Sequence, residues 1–438
     1  MAHAAWRNWA GTETAVATEV RQPRDTAEIS AAVTWAAERG TTVRARGSGH
    51  SFTAVGAAHG LALDLSHWTG VEAADLETGE VTVRAGTTLA ALNAELDGLG
   101  RAMANLGDID AQTISGAIST GTHGTGARLG GLATQVSGLE LVLADGSAVR
   151  CSATERPELF TAARVGLGAL GVISTVTLRT EPSFALAAEE RPEPLDEVLD
   201  RLDEHCADND HFEFYWFPYG RKALTKRNNR LPDGTATRPL RPLRKFVEYE
   251  VVENAAFGAL CRIGRRAPRL ARPMNKLAVS ALSPRSYSDV SHKVFVTNRR
   301  VRFVESEYAI PRAALGEVLA DLRVRVPALT DPVMFPVEVR VAARDDIWLS
   351  TAYGRDSAYL AIHQYIGMPY RAYFDLFEAV VGAVGGRPHW GKVHSLDAAA
   401  LRARYPRFAD FLRVRSEVDP DGRFANPYCD RVFGATTA

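Results

Sequence analysis

The sequence predicts an α+β protein, and three observations lead to that fold class. Helical and strand patterns alternate along the first half at spacings too irregular for one doubly wound parallel sheet. Two glycine-rich segments, residues 44–52 and 113–126, interrupt this half. The chain after residue 210 carries strand patterns with aromatic or charged side chains, at residues 211–217, 337–341 and 359–365.

The elements of the first half follow from local residue patterns. Ile29, Val33 and Ala36 recur at helical spacing and predict a helix over residues 26–40, with Thr26 as its N-cap. Alternating apolar residues predict strands at residues 42–46, 61–65 and 80–86. Apolar residues at helical spacing predict a helix at residues 88–99.

A hairpin and two helices continue the chain. The dipeptide Asp145-Gly146 is a strong hairpin signal, so residues 136–149 are predicted to form two antiparallel strands. Helices are predicted at residues 157–164 and 195–206. The aromatic strand at residues 211–217 is interpreted as core or as a sheet face that lines a pocket.

Composition excludes several classes of protein. The chain has 438 residues, of which 46% are hydrophobic and 24% charged, as in an ordinary globular protein. Its net charge of −1 provides no overall positive potential that would attract nucleic acid. Its four cysteines are isolated from one another and from paired histidines, so neither a metal site nor a disulfide framework is expected. We expect a cytoplasmic protein, because the sequence offers no signal peptide and no long apolar run.

The two glycine-rich segments point to a ligand. They read RARGSGHSF from Arg44 and TISGAISTGTHGTG from Thr113. Glycine lets the backbone approach a ligand closely, and successive amide groups then form a concavity that suits phosphate oxygens. A cofactor with a pyrophosphate is therefore predicted. A histidine in such a loop, here His50, is either a simple turn residue or a contact to that cofactor.

A third motif, residues 166–171, has the spacing Gly-x-Gly-x-x-Gly of dinucleotide-binding folds. That fingerprint requires a strand before it and a helix after it, so that the pyrophosphate meets the helix N-terminus. Here a helical pattern precedes the motif and the β-branched run at residues 172–178 follows it. Nicotinamide binding at this motif is therefore rejected.

Residues 221–276 form a basic segment, with fifteen lysines and arginines against four acids. It contains residues 227–234, which we predict to be a loop-like insert. The ordinary interpretation is a solvated loop and helix face. The functional alternatives are a peripheral contact with an anionic membrane surface or with an acidic electron-acceptor protein.

Charged residues of the second half suggest a reaction site. Glu338 and Arg340 lie two positions apart on a strand, so they share a face and can form a surface salt bridge or hold a polyol. His363 and Tyr365 share a face of the next strand in the same way. Lys392 lies in the sequence His-Trp-Gly-Lys, at residues 389–392.

These motifs, in this order, resemble the vanillyl-alcohol-oxidase-like flavoproteins. Within that family, the motifs resemble those of the sugar-1,4-lactone oxidases and dehydrogenases, of the L-gulono-1,4-lactone and D-arabinono-1,4-lactone types. The motifs are His50 after a Gly-x-Gly turn, Glu338-x-Arg340 on a strand, the His-Trp-Gly-Lys sequence and residues 424–428 near the C-terminus. The resemblance runs from about residue 6 to residue 434.

The resemblance implies a fold and a cofactor. A PCMH-type FAD-binding domain of two subdomains would span residues 1–180, with residues 415–438 returning to it. A substrate domain with an antiparallel sheet flanked by helices would span residues 181–414. FAD would be linked covalently to His50, and the other cofactor contacts would be Arg46, Gly47, Ser48, Gly49, Ser51, Asp110, Thr113, Ser115, Gly116, Ser119, Gly121, Thr122, His123, Gly124, Val172, Ile173, Asn426 and Tyr428.

The resemblance also implies a reaction. Glu338, Arg340 and Lys392 would be the catalytic residues, and Ser115, His363 and Tyr365 would contact the substrate. A hydride would pass from a sugar-1,4-lactone carbon to flavin N5. The acceptor that reoxidises the flavin would be oxygen, a cytochrome or a quinone. The alternatives are an alditol oxidase acting on xylitol or sorbitol, and a flavin scaffold or nicotinamide-dependent reductase that shares the cofactor fold.

Overall fold

The computed structural model describes residues 5–280, 282–297 and 299–435. Its strands are β1 (Ala5–Arg7), β2 (Thr14–Val16), β3 (Glu19–Arg21), β4 (Val43–Arg46), β5 (Leu61–Asp64), β6 (Val71–Asp75), β7 (Glu80–Arg84), β8 (Arg101–Ala102), β9 (Val136–Val142), β10 (Ala148–Ser152), β11 (Val172–Arg179), β12 (Glu181–Pro182), β13 (Ala185–Pro194), β14 (His211–Trp216), β15 (Lys222–Arg230), β16 (Arg285–Val290), β17 (Phe303–Pro311), β18 (Val337–Ala342), β19 (Ser357–Tyr365) and β20 (Arg387–Pro388).

Helices separate these strands irregularly along the chain. They are α1 (Thr26–Glu38), α2 (Leu89–Gly98), α3 (Ile114–Thr120), α4 (Pro157–Ala163), α5 (Leu195–Asp200), α6 (Leu202–Asp208), α7 (Pro242–Lys245), a π-helix (Phe246–Ala256), α8 (Phe257–Arg266), α9 (Ala271–Ser280), α10 (Ser291–Phe295), α11 (Leu315–Arg325), α12 (Arg371–Ala383), α13 (Ala398–Arg402), α14 (Phe408–Val418) and α15 (Pro427–Phe433). The α+β class predicted from the sequence is confirmed.

Two sheets organise the first part of the chain. A parallel sheet has the order β3-β5-β4, and an antiparallel sheet has the order β10-β9-β11-β7-β6. The predicted hairpin is present, since β9 and β10 pair in antiparallel fashion and Val142 and Ala148 form the pair next to the turn. One detail of α1 differs from the prediction. Its N-cap is Asp25, not Thr26, because the Asp25 carboxylate accepts the backbone N–H of Glu28.

A larger antiparallel sheet organises the rest. Within the described residues its order is β16-β13-β15-β14-β18-β19-β17-β20. The register places Arg340 of β18 opposite Glu213 of β14, and Glu305 of β17 opposite His363 of β19. The odd-numbered residues of β18 pack into an apolar core on one face, so its even-numbered residues point to the other face. Glu338 and Arg340 therefore lie on this second face, which is the charged face of the sheet.

Two predictions for the segment around these strands were correct only in part. The helix predicted for residues 195–206 is broken at Arg201, whose backbone (φ −108°, ψ 19°) leaves the helical region between α5 and α6. Residues 227–230, predicted as part of a loop-like insert, complete β15 instead. Arg227 is held there by the carboxylate of Glu193 on β13, at 2.7 Å from Nη2 to Oε2.

Two large apolar cores underlie the two sheet systems. One contains α1, α2 and the first two sheets, and the C-terminal helices α13, α14 and α15 pack into it. The other lies between the eight-stranded sheet and α11 and α12. The backbone of β4 also meets the C-terminal segment directly, through the amide of Val43 and the carbonyl of Arg423. The division into domains at residues 1–180 and 181–414 stays a prediction.

The loop after α3 joins the two systems. The Gly126 amide donates to the Val341 carbonyl of β18 at 2.9 Å. The Thr125 hydroxyl contacts the backbone of both Phe212 and Val341. The second glycine-rich segment therefore runs from the first cavity described below to the charged face of the large sheet.

Candidate active site

The two glycine-rich segments line one cavity, which encloses about 950 Å³ outside the protein atoms, part of it open to solvent. β4 delivers residues 47–51 into it, and α3 begins at its wall. The segments pack closely, since a Cβ on Gly47 would lie 2.8 Å from Oγ1 of Thr113. Gly49 has a φ of +74°, which residues with a side chain rarely adopt. Bare backbone therefore faces the cavity, as a phosphorylated ligand requires.

Arg46 supplies positive charge to this cavity. Its Nε and Nη2 atoms are buried, and no acceptor in the described part of the chain bonds to them. Burial lowers the pKa of Arg46, and Asp64 only partly opposes that effect. Guanidinium donors that lack an acceptor match the oxygens of a pyrophosphate. The cavity therefore fits FAD.

The Gly-x-Gly-x-x-Gly motif borders the same cavity through its backbone. It follows α4 and precedes β11, which confirms the element order used to reject nicotinamide binding. Leu167 and Gly168 both have positive φ, and their carbonyls accept hydrogen bonds from the buried Arg44 guanidinium. Leu167, Gly168, Gly171, Val172 and Ile173 line the cavity wall.

His50 lies where this cavity meets a second one. His50, Ser51, Gln112 and Thr120 line both. The imidazole stacks on Trp9 with 5.8 Å between ring centroids, which limits its orientation. Burial lowers the pKa of His50, and the positive charge of Lys392 lowers it further. A neutral imidazole is therefore held at the junction.

The second cavity, of about 730 Å³ of non-protein space, lies on the charged face of the large sheet. Arg340 is the centre of its first ion cluster. Its Nε lies 2.8 Å from Oε2 of Glu213, and its Nη2 lies 2.5 Å from Oε1 of Glu338 and 3.6 Å from Oδ2 of Asp108. Arg299 contacts Asp108 from the opposite loop and lies 3.8 Å from Glu338. One guanidinium is thus fixed by three carboxylates.

The carboxylates of this cluster differ in their affinity for protons. Burial opposes the ionisation of Asp108, but Arg299 and Arg340 hold its pKa well below the usual range. Against the same effect of burial, Lys226 and Arg340 lower the pKa of Glu213 to about 2. For Glu338, burial outweighs its arginine neighbours and raises the pKa. Glu338 is therefore the member of this cluster suited to accept a proton.

Lys392 is the centre of a second ion cluster. Its Nζ lies 2.5 Å from Oε2 of Glu305 and 3.9 Å from Oε2 of Glu307, both on β17. Burial opposes the charge of Lys392, but these two carboxylates raise its pKa. Glu307 also accepts from Nε2 of His123 at 2.8 Å. The lysine is therefore a permanent cation, with 19% of its side chain exposed toward the cavity.

His389 adds a neutral imidazole beside Lys392. It lines the second cavity, and burial lowers its pKa to about 4. Its Nδ1 accepts the backbone N–H of Gly391 at 3.0 Å. Because that nitrogen is an acceptor, the proton of the neutral ring is on Nε2.

The structure separates the predicted cofactor residues into three groups. Those lining the first cavity are Arg46, Gly47, Ser48, Gly49, His50, Ser51, Thr113, Ser115, Gly116, Ser119, Val172 and Ile173. Thr122 and His123 line the second cavity instead.

The third group lines neither cavity. Gly121 ends α3 with a φ of +81°, and Gly124 packs against Asn105. The Asp110 carbonyl accepts from the Ala90 amide.

Two C-terminal residues of this group are buried and donate to backbone carbonyls. Asn426 caps α15 and donates to the carbonyl of Ala57 at 3.0 Å. The Tyr428 hydroxyl donates to the Trp390 carbonyl at 2.8 Å. Neither residue lines the first or the second cavity.

The predicted catalytic residues Glu338, Arg340 and Lys392 all line the second cavity. The predicted substrate contacts do not line that cavity. The Ser115 hydroxyl donates to the Ala85 carbonyl at 2.8 Å and lies in the first cavity. His363 lies behind Glu305, at 3.5 Å from Nε2 to Oε1. Tyr365 packs beside Arg265. His363 and Tyr365 are on the predicted strand, and neither lines the first or the second cavity, so their contact with the substrate stays a prediction.

Sequence reasoning missed several charged residues of the second cavity. Glu213 lies in the strand at residues 211–217, whose interpretation rested on its aromatic side chains and not on the glutamate. Glu305 and Glu307 recur at period two among apolar residues of β17, a signal that was available in the sequence. Asp108 and Arg299 come from loops, where local pattern carries no signal for burial.

Comparison with known proteins identifies the family. Residues 176–432 match the family model described as D-arabinono-1,4-lactone oxidase, which is more than half of the chain. The chain belongs to this family. Residues 17–152 match the model of a FAD binding domain, so FAD is the cofactor of this oxidoreductase.

Curated relatives of the family match over nearly the full length. The L-gulono-1,4-lactone dehydrogenase of Mycobacterium tuberculosis is 43% identical over 98% of this chain and 99% of that protein. The L-gulonolactone oxidase of Mus musculus is 34% identical over 98% of each chain. The alditol oxidase of a Streptomyces species is 32% identical over 96% of this chain and 97% of its own length.

Solved structures support the fold alone. A solvent-stable cholesterol oxidase superposes with a TM-score of 0.84 at 19% identity, covering 98% of this chain and 97% of its own. The cholesterol oxidase of Brevibacterium sterolicum gives a TM-score of 0.81 at 18% identity, covering 98% and 96%. These superpositions show that the chain shares the overall fold of these proteins.

Proposed function

We propose that this protein oxidises a sugar-1,4-lactone, such as L-gulono-, L-galactono- or D-arabinono-1,4-lactone, with FAD as its cofactor. One observation carries the proposal. The glycine-lined cavity that fits FAD meets, at His50, a second cavity whose walls are charged. A small polyhydroxylated molecule in the second cavity would lie beside the redox end of a cofactor in the first.

The FAD residues are proposed by position. Arg46 and the backbone of residues 47–51 and 113–119 would hold the pyrophosphate region. FAD, when bound, accepts a hydride from the substrate carbon. His50 would carry it covalently, a proposal that rests on the place of the imidazole at the junction and on its neutral form.

The chain's own groups would orient the substrate and move its proton. Arg340, fixed by three carboxylates, donates hydrogen bonds to substrate oxygens. Glu338, whose pKa is raised, takes the proton of the hydroxyl whose carbon is oxidised. Lys392 provides a fixed positive charge that stabilises negative charge developing nearby. Holding a reactant in place can contribute roughly 7–11 kcal/mol to the acceleration.

An alditol oxidase is the second candidate. The Streptomyces relative carries that name, and the charged cavity would hold the hydroxyls of xylitol or sorbitol as well as those of a lactone. We propose oxygen, a cytochrome or a quinone as the electron acceptor. For the basic segment 221–276 we propose a peripheral membrane contact, and a cytoplasmic location stays a prediction.

A substrate panel tests the proposed function. Purified holoprotein is supplied with an artificial electron-accepting dye and, in separate assays, with L-gulono-1,4-lactone, D-arabinono-1,4-lactone, xylitol and NADH. Dye reduction by lactones at the highest kcat/KM supports the proposal. Dye reduction by xylitol alone would favour the alditol oxidase, and reduction by NADH alone would favour a nicotinamide-dependent reductase.

A further inference from the structure

One helical surface of the protein exposes apolar side chains instead of burying them. α7, the π-helix and α8 form a continuous helical run over residues 242–266, and residues 268–270 follow it. Leu243 is 76% exposed and Phe246 is 58% exposed. The exposed large apolar residues of this surface, which we call the 243–270 surface, are Leu243, Phe246, Val247, Val251, Val252, Ile263 and Leu270. Seven of the exposed large apolar residues of the described chain fall in this one segment, and such concentrations of exposed apolar side chains are a feature of interaction sites.

The opposite face of the π-helix explains why the apolar side chains point outward. Arg285 Nη1 lies 3.0 Å from Oε2 of Glu248 and 3.2 Å from Oε1 of Glu253. Arg300 Nη2 lies 3.1 Å from Oε1 of Glu250. These ion pairs attach the acidic residues of the helix to the body of the protein. The apolar residues are thereby held toward solvent, and they cannot turn inward without breaking the ion pairs.

Basic side chains surround the exposed apolar ones. The exposed basic residues between positions 241 and 269 are Arg241, Arg244, Lys245, Arg262, Arg265, Arg266 and Arg269. Long cationic side chains can lie along an apolar surface while their charged ends stay in a polar layer. Apolar residues flanked by lysine and arginine are the pattern of a helix that lies in the surface of an anionic bilayer.

We propose that the 243–270 surface docks the protein to an anionic lipid bilayer. This specifies the membrane contact already proposed and does not depend on which sugar is oxidised. Charge complementarity favours this occupant, since two copies of the surface would bring like charges together. An acidic protein would complement the charge of the 243–270 surface, but its charged groups would not bury the exposed apolar side chains. In the described part of the chain no helix is long and apolar enough to span a bilayer.

Vesicle sedimentation of the flavin-loaded, full-length protein tests this proposal. Vesicles of phosphatidylcholine alone are compared with vesicles containing phosphatidylglycerol. We expect the protein to sediment with the anionic vesicles and to bind them less at high salt. The triple variant Leu243→Ser/Phe246→Ser/Val252→Ser should weaken this binding at least tenfold, and the variant Arg262→Gln/Arg266→Gln/Arg269→Gln should weaken it through charge.

Matched controls make the outcome decisive. Leu76→Ser and Val324→Ser change exposed apolar residues outside the surface and should leave binding unchanged. Flavin content and lactone-dependent dye reduction in detergent-free buffer should match the wild type in every variant, which separates this test from that of the proposed function. Equal binding by the triple variant and the wild type would overturn the proposal. So would failure to bind anionic vesicles, or a doubled mass in solution that the triple variant abolishes.

Discussion

The guanidinium of Arg340 lies 2.5 Å from the carboxylate of Glu338, two residues earlier on the same strand. This pair faces a cavity rather than solvent, and it is part of a cluster with Asp108, Glu213 and Arg299. Arginine is fixed as a cation there, whereas burial raises the pKa of Glu338. A permanent donor and a proton acceptor therefore lie side by side, and the first two predictions concern them.

Glu338→Gln should remove the acid limb of the pH dependence of flavin reduction. A base must be deprotonated before it accepts a proton, so the wild-type rate should rise with pH through the raised pKa of Glu338. Glutamine cannot accept that proton, and the rate should fall by roughly 100-fold or more. Stopped-flow reduction by lactone across a pH series measures this, with the exposed Glu77→Gln as control. A variant that keeps the wild-type pH profile would exclude Glu338 as the base.

Arg340→Lys should lower kcat/KM although the charge is kept. A lysine cannot reach Glu213 and Glu338 at once and also offer a planar pair of donors to the substrate. We expect a loss of roughly 100-fold in kcat/KM, the size of effect seen when one preorganised donor is removed. Steady-state kinetics with L-gulono-1,4-lactone tests this. Unchanged kinetics would mean that Arg340 only stabilises the sheet.

His50→Ala should give a protein that still binds FAD but releases it on denaturation. The imidazole lies at the junction of the two cavities, and the remaining wall of the first cavity is unaltered by the change. Acid precipitation separates covalent from free flavin, and the wild-type pellet should be yellow while the variant pellet is colourless. The exposed His67→Ala should behave as the wild type. A yellow His50→Ala pellet contradicts the covalent assignment.

Lys392→Met should destabilise the fold as well as abolish activity. Its removal leaves Glu305 and Glu307 buried without their shared cation. Breaking a buried ion pair in this way costs about 3–5 kcal/mol. The double variant Lys392→Met/Glu305→Gln should regain part of this free energy of unfolding in urea but no activity. Full stability of the single variant would contradict the ion cluster.

Acid should destabilise the protein through the same clusters. The pKa values of Glu213 and Glu305 are about 2 in the folded state, because lysine, arginine and histidine neighbours outweigh burial. In the unfolded chain the pKa of a glutamate is about 4.3. The folded state therefore binds fewer protons, and its stabilisation is present above about pH 4.3 and lost as the pH falls toward 2. Urea unfolding at several pH values measures this, and a flat profile would contradict it.

The parts of the site that could be predicted from the sequence are those set by short-range geometry. Glu338 and Arg340 share a face because strands have period two, and glycines in a loop indicate close approach of the backbone. Asp108 and Arg299 could not be found in this way, since they meet only when two loops of the folded chain close over the sheet. The strand that carries His363 was predicted correctly. The position of its side chain behind Glu305 depends on which strand packs beside it, and local sequence does not show that.

The central claim is that a sugar lactone in the charged cavity reduces the flavin. Anaerobic mixing of the flavin-loaded protein with L-gulono-1,4-lactone tests it most directly, by following the visible absorbance of oxidised flavin. We predict bleaching by the lactone, slowed in Arg340→Lys, and faster than any bleaching by xylitol. If no lactone bleaches the flavin while the protein remains folded and fully loaded, the proposed function is wrong.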